Sequence, residues 1–164
     1  MNTAEKLRLL FLCTGNSCRS QMAEGWTRAL KGDLIDVYSA GIETHGLNRT
    51  AVEVMAEAGV DISTHTSKHV DTLRDIAFDV VITVCDNAHE TCPFFPGAKK
   101  MLHVGFADPP AMAKILAAQG AGEEAQLNCY RRIRDEIRTF VETLPESLNL
   151  HEITSNRIST INSQ

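Results

Sequence analysis

Eight consecutive residues, CTGNSCRS at positions 13–20, combine a thiol and an arginine at a spacing that could do chemistry. A hydrophobic run ends at Cys13, and a helical pattern begins near Arg19. A strand that turns directly into a helix exposes backbone N–H groups, and the positive end of the helix favours an anion among them. The guanidinium of Arg19 would add a planar, bidentate donor for a tetrahedral oxyanion. The stretch therefore predicts an anion-binding loop with contacts from Thr14, Gly15, Asn16, Ser17, Cys18, Arg19 and Ser20.

Cys13 is the predicted nucleophile of this loop. The helix dipole, the backbone amides and the nearby arginine would all favour the thiolate, which is the reactive form of cysteine. Gly15 and Asn16 are residue types that tolerate the positive φ of a tightly curled loop. The hydroxyls of Ser17 and Ser20 could donate hydrogen bonds to the sulfur or orient the loop. The alternative is an inert, buried cysteine followed by a capped helix; the nucleotide-binding pattern GxxxxGKS/T is absent.

Two further cysteines, Cys85 and Cys92, are separated by six residues. Zinc sites favour pairs two to four residues apart, so the spacing argues against a metal. If the segment between them were helical, the two Cα atoms would lie about 10 Å apart, whereas a disulfide needs about 4.4–6.8 Å. The spacing thus predicts a segment that is ordered when reduced and looped out when oxidised. The alternative is that Cys85 is a passive strand residue and Cys92 a passive surface thiol.

Asp108 is the candidate proton donor, in the stretch FADPP after the last predicted strand. An oxygen that leaves a tetrahedral anion needs a proton, and a carboxylic acid beside the anion could supply it. The alternative is an aspartate that only initiates a turn before proline.

Strand and helix patterns alternate along the chain and explain how these residues would meet. They predict an α/β fold, with a four-stranded parallel sheet and helices on both faces. Ligands bind beyond the carboxyl ends of such strands, where Cys13 and Cys85 would both lie. The predicted strands are residues 7–13, 35–40, 78–85 and 100–105, and the predicted helices are 17–31, 48–58, 70–77 and 123–144.

Length and composition indicate one domain, residues 1–144, with a polar C-terminal extension of unknown role at 145–164. The chain has 164 residues, 43% hydrophobic, with a net charge of -5. No basic field favours nucleic acid, and no apolar run approaches the roughly 20 residues of a membrane span. We recognise no signal peptide, and five cysteines suit free or redox thiols better than a disulfide framework. We therefore expect a cytoplasmic monomer.

The stretches CTGNSCRSQMAEG and VYSAGIETHG carry a family resemblance. The first resembles the active-site loop of the low-molecular-weight protein tyrosine phosphatases and of the arsenate reductases that share their fold. Together they resemble the thioredoxin-coupled arsenate reductases, over residues 7–144. The resemblance implies that Cys13 attacks arsenate, Cys85 attacks the arseno-cysteine, Cys92 attacks Cys85, and thioredoxin reduces the final disulfide. A glutaredoxin or a small thiol is the alternative reductant, and the resemblance gives Asp108 the acid role.

Two other functions stay open. A low-molecular-weight phosphatase would need Cys13, Arg19 and Asp108 but neither downstream thiol. The phosphatases typically follow their Asp-Pro with tyrosines, where this chain has Pro110 and Ala111. A redox-sensing or oxyanion-binding module that turns nothing over is the third interpretation.

No tightly bound cofactor is expected, although related reductases bind potassium near the loop. Lys68 stands where an acidic ligand is expected, which makes a cation there less favourable. Cys18 receives no redox step, and Cys129 is expected in the core. The five histidines before the C-terminal extension show no metal-ligand spacing, and we expect surface or capping roles for His45, His65, His69, His89 and His103. The residues that match the potassium pattern are Asn16, Glu24, Ser39 and Thr66.

Overall fold

The computed structural model describes residues 5–85 and 95–150. Its sheet has four strands in the order β2-β1-β3-β4, and every neighbouring pair is parallel. The predicted four-stranded parallel sheet is therefore confirmed. Cys92, His89, the segment between Cys85 and Cys92, and most of the C-terminal extension lie outside the described residues. The strands are β1 (Leu7–Cys13), β2 (Ile35–Gly41), β3 (Val80–Thr83) and β4 (Lys100–His103).

Within residues 5–85 and 95–150, four α-helices connect and cover the strands: α1 (Arg19–Lys31), α2 (Arg49–Glu57), α3 (Pro109–Ala118) and α4 (Glu123–Glu142). The sequence pattern does not predict helix α3, because the stretch Asp-Pro-Pro is also typical of a loop. Proline suits the first turn of a helix, where its missing N–H costs nothing, and Asp108 is the N-cap. The helix predicted at 70–77 is wrong in type, since only a short 3-10 turn at Val70–Leu73 forms.

Two hydrophobic clusters hold the sheet from its two faces. Side chains of β1 alternate, so that Leu9 and Phe11 face one cluster and Leu10 and Leu12 face the other. The first cluster contains the apolar sides of the α-helices. The second is smaller and includes Val70 of the 3-10 turn. Helix α1 is thereby clamped between the sheet and α4, which fixes its N-terminus at the end of β1.

The start of the predicted C-terminal extension packs on the domain. A second 3-10 turn spans Glu146–Leu148, and Leu148 is buried in the first cluster. The ammonium of Lys100 donates to the Leu148 carbonyl at 2.7 Å. Within the described part of the chain, no helix is long and apolar enough to cross a bilayer.

Candidate active site

The carbonyl oxygens of the loop between β1 and α1, residues 14–18, accept hydrogen bonds from outside the loop. The segment after β2 donates three backbone N–H groups to it. These bonds are Glu43 N to Thr14 O, His45 N to Gly15 O and Asn48 N to Ser17 O, at 2.9, 3.0 and 3.0 Å. Because N–H and C=O point in opposite directions across a trans peptide, the N–H groups of these peptide planes turn inward, as in an anion-binding nest.

Asn16 is the most constrained residue of the loop. It is fully buried and adopts a positive φ of 46°. Its Nδ2 donates to the hydroxyls of Ser20 and Ser39, each at 2.9 Å. Its Oδ1 accepts from the Lys68 backbone N–H at 2.8 Å and from Gln21 Nε2 at 3.0 Å. These four bonds use the full capacity of the side-chain amide, so the left-handed turn is held by a complete hydrogen-bond set.

Gly15 has a different role from the one predicted. It is not among the residues with positive φ, so the expectation of a left-handed conformation is wrong at this position. A Cβ built on Gly15 would instead clash with the imidazole ring of His45. The glycine is therefore compatible with the close approach of His45, a residue of the segment that holds the loop.

Cys13 lies at the end of β1, at the base of the loop, and its thiol is free. Its Sγ lies 3.0 Å from Ser20 Oγ. Since Asn16 Nδ2 donates to that same oxygen, the single hydroxyl proton of Ser20 is left to donate to the sulfur. The sulfur therefore has a hydrogen-bond donor already aimed at it, and such a bond is stronger when the acceptor is charged.

Arg19 and Asp108 line the same cavity as Cys13. Arg19 is buried; its Nη1 donates to the Phe106 carbonyl at 3.1 Å, and its Nη2 lies 3.9 Å from Asp108 Oδ1. Both line a cavity of about 260 Å³, below the range of about 300–1,000 Å³ typical of drug-sized ligands. The cavity therefore suits a small oxyanion, and its lining is Cys13, Thr14, Gly15, Ser17, Cys18, Arg19, His45, Asn48, Asp108 and Pro110.

Cys85 lies close to Cys13 along the rim of the sheet but outside the cavity lining. Leu12 pairs with Thr83, and Val84 N donates to Leu12 O at 3.0 Å. Cys85 is thus one residue beyond the position beside Cys13, which corresponds to Cα atoms about 6 Å apart at ordinary strand spacing and rise. Cys85 is fully buried and disulfide-bonded. Cys92, which the family resemblance pairs with Cys85, lies outside the described residues.

The remaining described cysteines are not suited to a redox step. Cys18 is the N-cap of α1, and burial raises the pKa of its thiol far above the ordinary value, so it stays protonated at neutral pH. Cys129 is buried on α4, and its Sγ lies 3.7 Å from the Ala125 carbonyl. The expectation that Cys129 belongs to the core is confirmed.

The predicted potassium ligands do come together behind the loop. Besides the bond between Asn16 and Ser39, Ser39 Oγ donates to Glu24 Oε1 at 3.3 Å. The Thr66 carbonyl accepts from Lys68 Nζ at 2.8 Å. The four predicted oxygen donors therefore form one cluster, and it already contains a side-chain ammonium.

Among the histidines, His65 departs from the expectation. It was predicted on the surface or at a cap, but it is largely buried and its Nδ1 lies 3.0 Å from Glu24 Oε2. His69 does cap the first 3-10 turn by accepting from Asp71 N. His45 lines the cavity mouth with an exposed side chain that pairs with Glu43.

Sequence reasoning missed the residues that hold the loop from outside. Gly41 ends β2, and a Cβ there would lie 2.7 Å from both Thr14 O and Glu43 O. The segment 43–48 then supplies the three N–H donors described above. Their only signal in the sequence is the stretch VYSAGIETHG, which carried the family resemblance without showing what its residues do.

Comparisons with known proteins agree with this geometry. The family model described as low molecular weight phosphotyrosine protein phosphatase matches residues 8–152. The chain is 49% identical over 139 residues to a protein of Halalkalibacterium halodurans named arsenate reductase, which covers 85% of this chain and 95% of that protein.

Solved structures give the same result. An arsenate reductase in the phosphate binding state superposes with a TM-score of 0.67 and 32% identity, covering 84% of this chain and 95% of the other. A thioredoxin-dependent arsenate reductase of Corynebacterium glutamicum superposes with a TM-score of 0.58 and 26% identity, covering 88% of this chain and 64% of the other.

Proposed function

The chain belongs to the low molecular weight phosphotyrosine protein phosphatase family and is an arsenate reductase of that family, and we propose that it works by a three-cysteine relay that thioredoxin resets. The observation that carries the proposal is the placement of a free Cys13 at the base of an inward-facing amide nest. Arsenate is a tetrahedral oxyanion, which is the shape that such a nest and a bidentate arginine hold.

The first step joins sulfur to arsenic. The Cys13 thiolate attacks As(V) to form the S–As bond, and one arsenate hydroxyl leaves as water after taking a proton from Asp108, which remains as the carboxylate. The bound oxyanion would be held by the loop amides and by Arg19, whose charge offsets that of the ligand. Asp108 lines the same cavity as Cys13 and Arg19, which supports a proton donor at the edge of that cavity.

The second step reduces arsenic. The Cys85 thiolate attacks the sulfur of the Cys13–arsenic adduct, the S–As electron pair goes to arsenic, and arsenite leaves as As(III). The two thiols have together lost two electrons and form a Cys13–Cys85 disulfide. Cys85 follows β3 beside the end of β1 that carries Cys13, and this placement supports the exchange. Because Cys85 is fully buried and does not line the cavity, its side chain must move to make the attack.

The third step restores the nucleophile. The Cys92 thiolate attacks Cys85, and Cys13 leaves as a thiolate ready for the next arsenate. A dithiol of thioredoxin then reduces the remaining disulfide by the same exchange chemistry. The structure has Cys85 in a disulfide while Cys13 is free, an arrangement that matches the end of the proposed cycle. Free Cys13, Cys18 and Cys129 suit a reducing compartment, so we place the reaction in the cytoplasm.

The test is a coupled assay with arsenate, thioredoxin, thioredoxin reductase and NADPH. The wild-type protein should consume NADPH over many turnovers, and Cys85→Ser should release no arsenite beyond background. Cys129→Ser removes a free, buried thiol from α4 and should retain turnover, which makes it the matched control. Sustained arsenite production by Cys85→Ser would overturn the relay.

The same preparations separate the two other functions. A phosphatase would hydrolyse an aryl phosphate rapidly and show no thioredoxin-dependent arsenite production. An oxyanion-binding module would bind arsenate without consuming NADPH. Either result with the wild-type protein would contradict the proposed function, whereas NADPH consumption that requires arsenate supports it.

A further inference from the structure

A buried carboxylate lies directly behind the anion loop. Glu24, on α1, is only 4% exposed. Burial alone would raise the pKa of this carboxyl, but a hydrogen bond from His65 and the charges of Lys68 and Arg28 together lower it below the usual value. Glu24 is therefore an anion at neutral pH, and such a buried charge needs a cation close by.

Two cations approach Glu24 from different sides. Lys68 Nζ lies 4.0 Å from Oε1, and Arg28 Nη1 lies 3.4 Å from Oε2. Arg28 also contacts His65 Nε2 at 3.0 Å. When the arginine donates to Nε2, the neutral ring carries its proton on Nδ1, toward Glu24. Lys68 approaches Oε1, the oxygen that accepts from Ser39, whereas Arg28 approaches Oε2, so Lys68 is the cation on the side of the carboxylate that is bonded toward the loop.

The oxygen atoms of this cluster already have donors. Glu24 Oε1 accepts from Ser39 and lies near the Lys68 ammonium, as described above. The Thr66 carbonyl accepts from Lys68 Nζ at 2.8 Å and from Gln21 Nε2 at 3.0 Å. A potassium ion at these oxygens would have to displace N–H donors and lie beside an ammonium, which electrostatic repulsion disfavours. The residues present do not fit the ion.

A continuous chain of hydrogen bonds leads from this cluster to the nucleophile. Glu24 accepts from Ser39, whose oxygen accepts from Asn16 Nδ2. The second Nδ2 hydrogen of Asn16 goes to Ser20, whose hydroxyl faces Cys13. The charge state of Glu24 thus fixes the direction in which the Ser39 hydroxyl points. That direction leaves the Ser39 oxygen free to accept from the amide that shapes the loop.

We propose that Lys68 is a positioning residue whose ammonium serves as a built-in cation for this oxygen cluster, so that oxyanion binding in this chain is independent of potassium. Its Nζ donates a hydrogen bond to the Thr66 carbonyl and offsets the negative charge of Glu24. Its backbone N–H donates to Asn16 Oδ1. Removing the ammonium would leave Glu24 Oε1 and the Thr66 carbonyl without the cation beside them, because Arg28 lies at Oε2. A monovalent cation could then enter the space that the side chain vacates.

The test measures phosphate binding by calorimetry, a readout that does not depend on arsenate turnover. Wild type, Lys68→Gln, Lys68→Arg and Arg28→Gln are compared in KCl, NaCl and choline chloride at equal ionic strength. The wild-type Kd should be the same in all three salts. The Kd of Lys68→Gln should rise about tenfold in choline chloride, the size of one lost contact to a charged group. In KCl, the Kd of Lys68→Gln should return toward the wild-type value.

Lys68→Arg and Arg28→Gln test whether the effect depends on a positive charge at position 68 or on any positive charge near Glu24. Lys68→Arg keeps the cation and should show no potassium response. Arg28→Gln removes the cation on the far side of Glu24, and its Kd should not depend on potassium either.

Three results would overturn the proposal. One is a wild-type Kd that falls in KCl relative to choline chloride, which needs no variant to fold. Another is a folded Lys68→Gln whose Kd is equal to wild type in every salt. The last is a loss of affinity in Lys68→Gln that KCl does not restore, which would make Lys68 a packing contact only. If arsenate reduction failed in the coupled assay while these phosphate results held, the proposed function alone would be contradicted.

Discussion

Ser20 Oγ lies 3.0 Å from Cys13 Sγ and at the same time accepts a hydrogen bond from Asn16 Nδ2. The hydroxyl is therefore oriented before substrate arrives, with its proton toward the sulfur. Pre-oriented donors stabilise a developing or resident charge without reorganisation. Ser20, on α1, thus gives the nucleophile a hydrogen-bond donor, and the amide of Asn16 sets the direction in which that donor points.

Ser20→Ala should slow arsenate reduction. Loss of a hydrogen bond to a charged group costs about 1.5–3 kcal/mol, which lowers kcat/KM by about 10- to 100-fold. Thr27→Ala is the matched control, because Thr27 is also buried on α1 but donates to the Ala23 carbonyl at 2.7 Å, away from the cavity. Steady-state kinetics of arsenate reduction give kcat/KM for both variants. Equal losses in the two would mean that the effect comes from the helix and not from the thiolate.

Gly41→Ala should damage the anion loop from outside it. A methyl group there would lie 2.7 Å from Thr14 O and 2.8 Å from Asn16 N. These are backbone atoms that cannot swing aside, so the loop must shift, at a cost of about 1–3 kcal/mol. We expect at least a tenfold rise in the phosphate Kd by calorimetry and a lower midpoint of guanidinium unfolding.

Gly120→Ala is the control for that prediction. Gly120 follows the end of α3 and has a φ of +81° with open space around its Cβ position. Alanine there should cost about 1–2 kcal/mol of backbone strain without changing phosphate affinity. Loss of affinity in Gly120→Ala, or normal affinity in Gly41→Ala, would contradict the assigned roles.

The candidate site divides into a part that is local in sequence and a part that is not. Cys13 and Arg19 follow from one strand-to-helix junction, so their spacing was enough to predict an oxyanion site. The Glu43 and Lys68 contacts to the loop could not be predicted, because they depend on how β2 and the chain beyond α2 return to it. Helix α3 was missed for a local reason: Pro109 at its first position marks both a turn and a helix start.

Asp108→Asn should separate catalysis from binding. The amide keeps the shape of the side chain but cannot protonate a leaving oxygen, so kcat of arsenate reduction should fall by about 10²–10⁴-fold, the usual contribution of a general acid. The KM for arsenate should stay the same or decrease, because a negative charge near Arg19 is removed. Steady-state kinetics give both constants. An unchanged kcat with a raised KM would assign Asp108 to loop structure instead of proton transfer.

Glu24→Gln should change how stability depends on pH. The folded state lowers the pKa of Glu24 below its ordinary value of 4.5. A lowered pKa means that the ionised carboxylate stabilises the fold above the unfolded pKa, and that this contribution disappears as pH falls through the folded pKa. At pH 7, Glu24→Gln should therefore be less stable than wild type by about 1–3 kcal/mol, and the two should converge as the pH falls below 4.5 and through the folded-state pKa.

Urea unfolding at a series of pH values from neutral to acid measures that difference directly. Other carboxylates titrate in both proteins, so the difference between the two curves isolates Glu24. Glu53→Gln is the control, since Glu53 is an exposed residue of α2 outside the cluster, and its curve should parallel that of wild type. A constant gap between Glu24→Gln and wild type across the acid range would show that the buried group is held by neutral hydrogen bonds, and that the Lys68 charge has nothing to compensate.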